Sequence, residues 1–148
     1  MAALKIFGYG TDEYRKALAL RHKVLRQPLG LTFTEAELSK DKGDTHIGLF
    51  EEENIVACLT LCPSENGKMK MRQVAVDDEQ QRKGYGRKLS IAAEEYALKN
   101  NCHTLFCHAR KTAVPFYQKL GYQIVSDEFT EVTVPHYVME KKLVNNES

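Results

Sequence analysis

The chain has 148 residues, the size of one ordinary domain, and a globule of that length buries roughly two thirds of the surface its unfolded chain exposes. Hydrophobic residues make up 43% and charged residues 28%, which excludes a disordered, collagenous or membrane-embedded composition. With 21 Lys plus Arg against 20 Asp plus Glu the formal charge is +1, too little for a general grip on nucleic acid or an anionic membrane, so any anion site has to be local.

No apolar run reaches the roughly 18 residues that cross a bilayer, and the first ten residues lack a basic start followed by a long apolar stretch. The sequence therefore reads as cytoplasmic, with no nucleic-acid or membrane partner, and it leaves a homodimer open. Cys58, Cys62, Cys102 and Cys107 are spaced C-x3-C and C-x4-C; a domain this large needs no disulfide framework, and short C-x2-C zinc hooks are missing, so free thiols and no metal are expected.

There is no repeat, low-complexity tract or Pro/Gly/Ser-rich linker, so one domain is expected over residues 1–148. A short apolar start at 4–7 precedes Thr11, whose hydroxyl suits a helix cap; Leu18, Leu20, Val24 and Leu25 then give a helix an apolar side until Pro28. The polar stretch from 26 to 43 holds at most one short helix around 35–39. Residues 46–51 and 55–61 read as strands joined by the acidic turn E-E-E-N, and a second turn, P-S-E-N-G-K, leads into a strand at 69–76. That strand alternates and then turns apolar on both faces, as a strand entering the buried middle of a sheet does.

From Tyr85 to Asn100, Leu89, Ala92, Ala93, Tyr96 and Ala97 recur at steps of three and four, which predicts a helix with one buried face. A strand at 104–109, a short helix at 113–120 closed by Gly121, and strands at 122–125 and 136–142 complete the order. The pattern combines an antiparallel meander with a crossover, hence a mixed α/β or α+β fold.

The segment Q-R-K-G-Y-G-R, residues 81–87, lies between a buried strand and a long helix. Gly84 and Gly86 allow backbone N–H groups to approach a ligand at the positive end of a helix, and Arg82, Lys83 and Arg87 add local charge; together these favour a phosphate. Gly84 is not followed by G-K-[ST], which disfavours a nucleoside-triphosphate loop, and Leu89 stands where a dinucleotide fingerprint has its third glycine.

The match of Gln81, Gly84 and Gly86 to Q/R-x-x-G-x-G/A, followed by H-A-R-K-T-A-V-P-F-Y-Q-K-L-G-Y at 108–122, resembles the GCN5-related N-acetyltransferase (GNAT) superfamily, in the form of a small single-domain bacterial-type member. The resemblance covers residues 68–142 well, whereas residues 1–67 agree in element order alone. It implies a mostly antiparallel sheet of six or seven strands flanked by about four helices, with splayed central parallel strands. It also implies acetyl-CoA as cofactor, its pyrophosphate on the amides of Gln81, Arg82, Lys83, Gly84, Tyr85, Gly86 and Arg87, and its pantetheine arm paired with Val74, Ala75 and Val76.

By the same resemblance Tyr117 is the general acid that protonates the leaving sulfur, and a tyrosine of pKa about 10 keeps its proton at neutral pH. Phe116 is expected in the core. His136, in V-P-H-Y-V-M, ranks first as a substrate-site residue beside His46, Gln73 and His108. His108 stands where many members carry an Asn that bonds the pantetheine arm; a histidine can donate similarly, so the resemblance places His108 with the cofactor-binding residues. Arg110 and Lys111 read as solvated charges or as contacts to the cofactor's 3'-phosphate, and Arg21 and Arg26 as acceptor-facing or surface cations. The function implied is acetyl transfer to a primary amine of a small molecule or peptide; a non-catalytic acyl-CoA sensor and a nucleotide-binding module are the competing readings.

Overall fold

A computed structural model describes residues 2–77 and 83–143. Among them the chain order is β1 (Ala3–Phe7), α1 (Asp12–Arg21), α2 (Glu35–Ser39), β2 (Thr45–Glu51), β3 (Asn54–Pro63), β4 (Lys68–Val76), α3 (Tyr85–Lys99), β5 (Thr104–Arg110), α4 (Val114–Lys119), β6 (Gln123–Ile124), β7 (Phe129–Glu131) and β8 (Val134–Lys142). The eight strands are mostly antiparallel, giving the mixed α/β class that the sequence implies. The strands number eight against the six or seven implied, and β7 is the element that the polar run D-E-F-T-E conceals.

The chain divides into two compact units, Met1–Cys62 with Met71–Ala93 and Pro63–Lys70 with Glu94–Ser148. In the first, β1, β2, β3 and the latter part of β4 follow in order. The β2–β3 hairpin closes at Glu51 opposite Asn54, where Glu52 takes a left-handed φ of 56°. α1 starts because Thr11 accepts a hydrogen bond from the Tyr14 amide at 3.2 Å, with Asp12 and Glu13 favourably placed in the first turn. Thr34 and Glu37 form a reciprocal capping box on α2. Tyr14, Ala17 and Leu20 of α1 pack with Phe7, Phe50, Cys58 and Ala75 as the core of this unit.

The single helix read through to Pro28 is in fact broken. α1 ends at Arg21, a π-helical turn covers His22–Arg26, and a tighter turn follows over Gln27–Leu29. This irregular winding turns both Arg21 and Arg26 inward, where they are buried.

In the second unit the start of β4 lies parallel to β5, Lys68–Lys70 against Thr104–Phe106. β5 is antiparallel to β8 over its whole length, and β8 also pairs β6 and β7. Within this unit the parallel ladder stops at Lys70 and Phe106, although β4 runs on to Val76 and β5 to Arg110.

α4 ends as expected at Gly121, whose φ of 97° is open to glycine at little cost. That conformation lets the Tyr122 amide reach back to the Tyr117 carbonyl at 3.0 Å. All four cysteines are free. Burial pushes both the Cys58 and Cys107 thiols up to about 12, so neither offers a thiolate at neutral pH. No described helix is long and apolar enough to cross a membrane.

Candidate functional site

The glycine-rich turn can be followed from Lys83 onward; Gln81 and Arg82 lie outside the described residues. Gly84 has a φ of 76°, and nothing stands within 4 Å of where its Cβ would be. The position thus needs glycine for its backbone conformation and leaves open space in front of it. Its carbonyl accepts from the Lys88 amide at 3.0 Å, which begins α3 and leaves the earlier amides of the turn outside the helical ladder. Lys83 and Arg87 are exposed. Tyr85 is buried, and its hydroxyl donates to the Glu51 carboxylate; that bond raises its pKa. Leu89, Ala93 and Ala97 hold α3 in place from its buried face.

Val74, Ala75 and Val76 lie at the end of β4, with Ala75 buried and the two valines partly covered. Gln73, just before them, adopts a φ of 54° inside the strand, an irregularity that re-aims the following backbone groups. Glycine is absent at this point, so the distortion has no signal in the sequence.

A buried polar network occupies the same unit. Asp41 accepts from the Tyr14 hydroxyl at 2.6 Å, from Arg21 Nη1 at 2.9 Å and from Arg72 at 3.3 Å. Arg21 is 1% exposed, not at the surface as expected, and its Nε and Nη2 find no partner. Its guanidinium and that of Arg26 both stand over the Phe33 ring, at 4.8 and 4.2 Å. Arg26 also pairs with Glu37 at 2.9 Å. His46 belongs to this network: Nε2 donates to the Asp41 carbonyl at 3.1 Å and Nδ1 accepts from Thr60 at 2.9 Å. Burial lowers the His46 pKa, outweighing the opposing effect of Asp41. A neutral, doubly bonded imidazole of this kind is structural.

In the second unit, α4 carries Phe116 and Tyr117 in opposite environments. Phe116, expected in the core, is 39% exposed, whereas Tyr117 is buried against Tyr122, with ring centroids 5.6 Å apart in an edge arrangement. A six-residue helix shows only one side to the core, and here the tyrosine takes it. Burial pushes the Tyr117 hydroxyl well above the ordinary tyrosine value, with Cys107 and Tyr122 adding to the rise and Arg110 opposing it. The group keeps its proton at neutral pH.

His108 and His136 are brought together by a residue that the sequence reading missed. Glu131, at the end of β7, accepts from His108 Nδ1 at 3.0 Å, and its other oxygen lies 3.9 Å from His136 Nε2. Phe129 packs edge-on to His108 and nearly parallel to His136, at 5.2 and 5.9 Å. Glu131 carries no signal in the sequence, because Val-Thr is not a usual two-residue hairpin turn. Lys111 pairs with Glu128 at 3.0 Å on the surface. Among the described residues no group of three or more His, Cys, Asp or Glu is arranged to hold a metal.

Residues 24–143 match the acetyltransferase (GNAT) domain, four fifths of the chain, and the protein belongs to that family. UPF0039 protein C11D3.02c of Schizosaccharomyces pombe is 30% identical over 91 residues, 60% of this chain and 61% of that protein; the chain thus spans about three fifths of that relative's length. Among solved structures, a Lactobacillus plantarum protein described as a candidate N-acetyltransferase is 26% identical, with a TM-score of 0.83 over 96% of this chain and 99% of the other. An aminoglycoside 6'-N-acetyltransferase complexed with coenzyme A has a TM-score of 0.78 at 12% identity, over 99% of each chain, a likeness of fold alone.

Proposed function

We propose that the protein is an acetyl-CoA-dependent N-acetyltransferase acting in the cytoplasm on a primary amine of a small molecule or peptide, by direct attack of the amine on the thioester. The observation that carries the reading is the open glycine turn at Gly84 in a chain of the GNAT family; Tyr117, by itself, is a buried tyrosine that retains its proton.

The residues present suit the cofactor. A phosphate fits the space before Gly84, where backbone amides and the charge of Lys83 and Arg87 favour an anion; Gln81 and Arg82 complete the turn in sequence. The backbone of Val74, Ala75 and Val76 offers amide groups to a pantetheine arm, and the irregular backbone at Gln73 just before them supports that use. Bound acetyl-CoA supplies an activated acetyl group on a thiol leaving group. Tyr117 gives its proton to the departing sulfur, and a backbone N–H near Val74 meets the charge that develops on the acetyl oxygen. In this reading His136 belongs to the acceptor site and His108 to the pantetheine contact.

Calorimetry of acetyl-CoA against the wild type and Arg87→Glu tests the reading. Arg87 is preferred over Gly84, where any side chain would be strained. Micromolar binding that weakens at least about tenfold in a folded Arg87→Glu protein is expected, since it reverses a charge beside a proposed phosphate. Absence of binding to the wild type overturns the proposal, and binding without acetyl transfer to any of a panel of primary amines leaves the sensor reading instead.

A further inference from the structure

The second unit carries two imidazoles on one carboxylate, and their partners fix which nitrogen of each bears a proton. Glu131 can only accept, so His108 Nδ1 is the protonated nitrogen in their 3.0 Å hydrogen bond, and its Nε2 carries the lone pair in the neutral ring. His136 Nδ1 donates to the Val134 carbonyl at 2.9 Å. The two rings differ in access: the His108 side chain is 26% exposed and that of His136 5%.

The hairpin that delivers Glu131 is built at a cost. Glu131 opposes Val134, and Phe129 opposes His136, so the turn consists of Val132 and Thr133 alone, with φ of 49° and 65°. Both are β-branched residues in the left-handed region, where such side chains rarely sit and where Asn-Gly is usual. Strain of this kind persists when surrounding contacts over-determine it, and the contacts of Glu131 and Phe129 with the two imidazoles are joined here by those of Glu128 with Lys111 and Tyr137. Burial tends to raise the Glu131 pKa, yet the His108 hydrogen bond, aided by the charges of His108, His136 and Lys70, holds it below the ordinary carboxylate range. Among the described residues these three, from β5, β8 and β4, are the charged or titratable groups that act on it.

We infer that His108 is the general base for the acceptor amine and that Glu131 is its positioning residue, a carboxylate–imidazole pair held by the strained β7–β8 turn. This rests on the acetyltransferase reading. An acceptor arriving as an ammonium has to lose two N–H protons to become an amide. One passes to His108 Nε2, forming an imidazolium that the Glu131 carboxylate stabilises, and is released to water. The freed nitrogen lone pair then forms the N–C bond as the C–S bond breaks. Tyr117 protonates the sulfur, and the second N–H proton restores Tyr117. His136, expected as the leading substrate-site histidine, serves in this arrangement as the buried second contact of Glu131, and the accessible base is His108.

The test has two readouts. Long-range proton–nitrogen NMR of the apo protein should show His108 as the Nδ1–H tautomer. Glu131→Ala should abolish that preference and Glu131→Gln, which keeps an acceptor oxygen, should retain it. For catalysis, benzylamine, an ammonium ion at neutral pH, is compared with aniline, which is already neutral. His108→Gln should lose about 100-fold in kcat on benzylamine, the lower end of what a positioned acid–base group supplies, and at least about tenfold less on aniline. Glu131→Ala should follow the same pattern, and Glu131→Gln should recover part of it. Equal losses on both amines, or an unchanged His108 tautomer in Glu131→Ala, overturns the inference. A wild type inert toward acetyl-CoA overturns the acetyltransferase reading instead, and the tautomer still decides whether Glu131 orients His108.

Discussion

The Tyr14 hydroxyl donates to Asp41 Oδ2 across a distance of 2.6 Å in a fully buried setting, and the same oxygen accepts from Arg21 Nη1. Residues 27 positions apart in sequence are thus tied through one carboxylate. The end of α1 is thereby joined to the tight turn Lys40–Gly43, which carries Asp41 and leads into β2.

Removing that carboxylate leaves two guanidinium groups, on Arg21 and Arg72, without their shared acceptor. Asp41→Ala is expected to destabilise the protein by about 3–5 kcal/mol, the usual effect of stranding a buried charge. Urea denaturation followed by circular dichroism measures it. A loss below about 1 kcal/mol would mean that Arg21 finds a substitute partner.

His46 makes stability depend on pH in a definite direction. Burial, the largest effect, lowers its pKa in the folded protein, while the unfolded chain takes up a proton near 6.5. Between the lowered folded value and about 6.5 the unfolded state binds more protons, so the contribution is fully present above that window and is lost as pH falls through it. The slope from this one group reaches at most about 1.4 kcal/mol per pH unit. Denaturation midpoints measured across the window should fall with acid in the wild type and fall less in His46→Gln.

Tyr117→Phe keeps the ring that packs on Tyr122 and deletes only the hydroxyl. Turnover should drop by about 100-fold or more if the hydroxyl delivers a proton, with acetyl-CoA affinity unchanged by calorimetry. Turnover equal to that of the wild type would remove Tyr117 from the chemistry.

Much of the architecture is legible in the sequence because its signals are periodic and local. The three- and four-residue spacing of Leu89, Ala92, Ala93, Tyr96 and Ala97 places α3 nearly to the residue, and the Thr34/Glu37 capping box marks a helix only five residues long. Illegible features are those created by tertiary contact. Nothing in R-H-K-V-L-R announces a π-helical turn, and a basic side chain such as Arg21 is normally read as surface. Its burial depends on Asp41, which sits in the polar run K-D-K-G-D. In the candidate site the glycine turn and Tyr117 stand out through motif, while Glu131 becomes visible only when the hairpin register sets it beside His108.

The β7–β8 turn has a bearing on the order of folding. Val132 and Thr133 disfavour the turn that they form, so this hairpin is a poor place for folding to nucleate, and its closure has to follow the laying of β8 along β5. Its contacts should therefore be absent from the folding transition state. Substitutions at Phe129 should accelerate unfolding and leave the refolding rate nearly unchanged, whereas Val132–Thr133→Asn-Gly should slow unfolding. The segment that brings Glu131 to the histidines is thus expected to be the last part of this unit to assemble and the first to come apart.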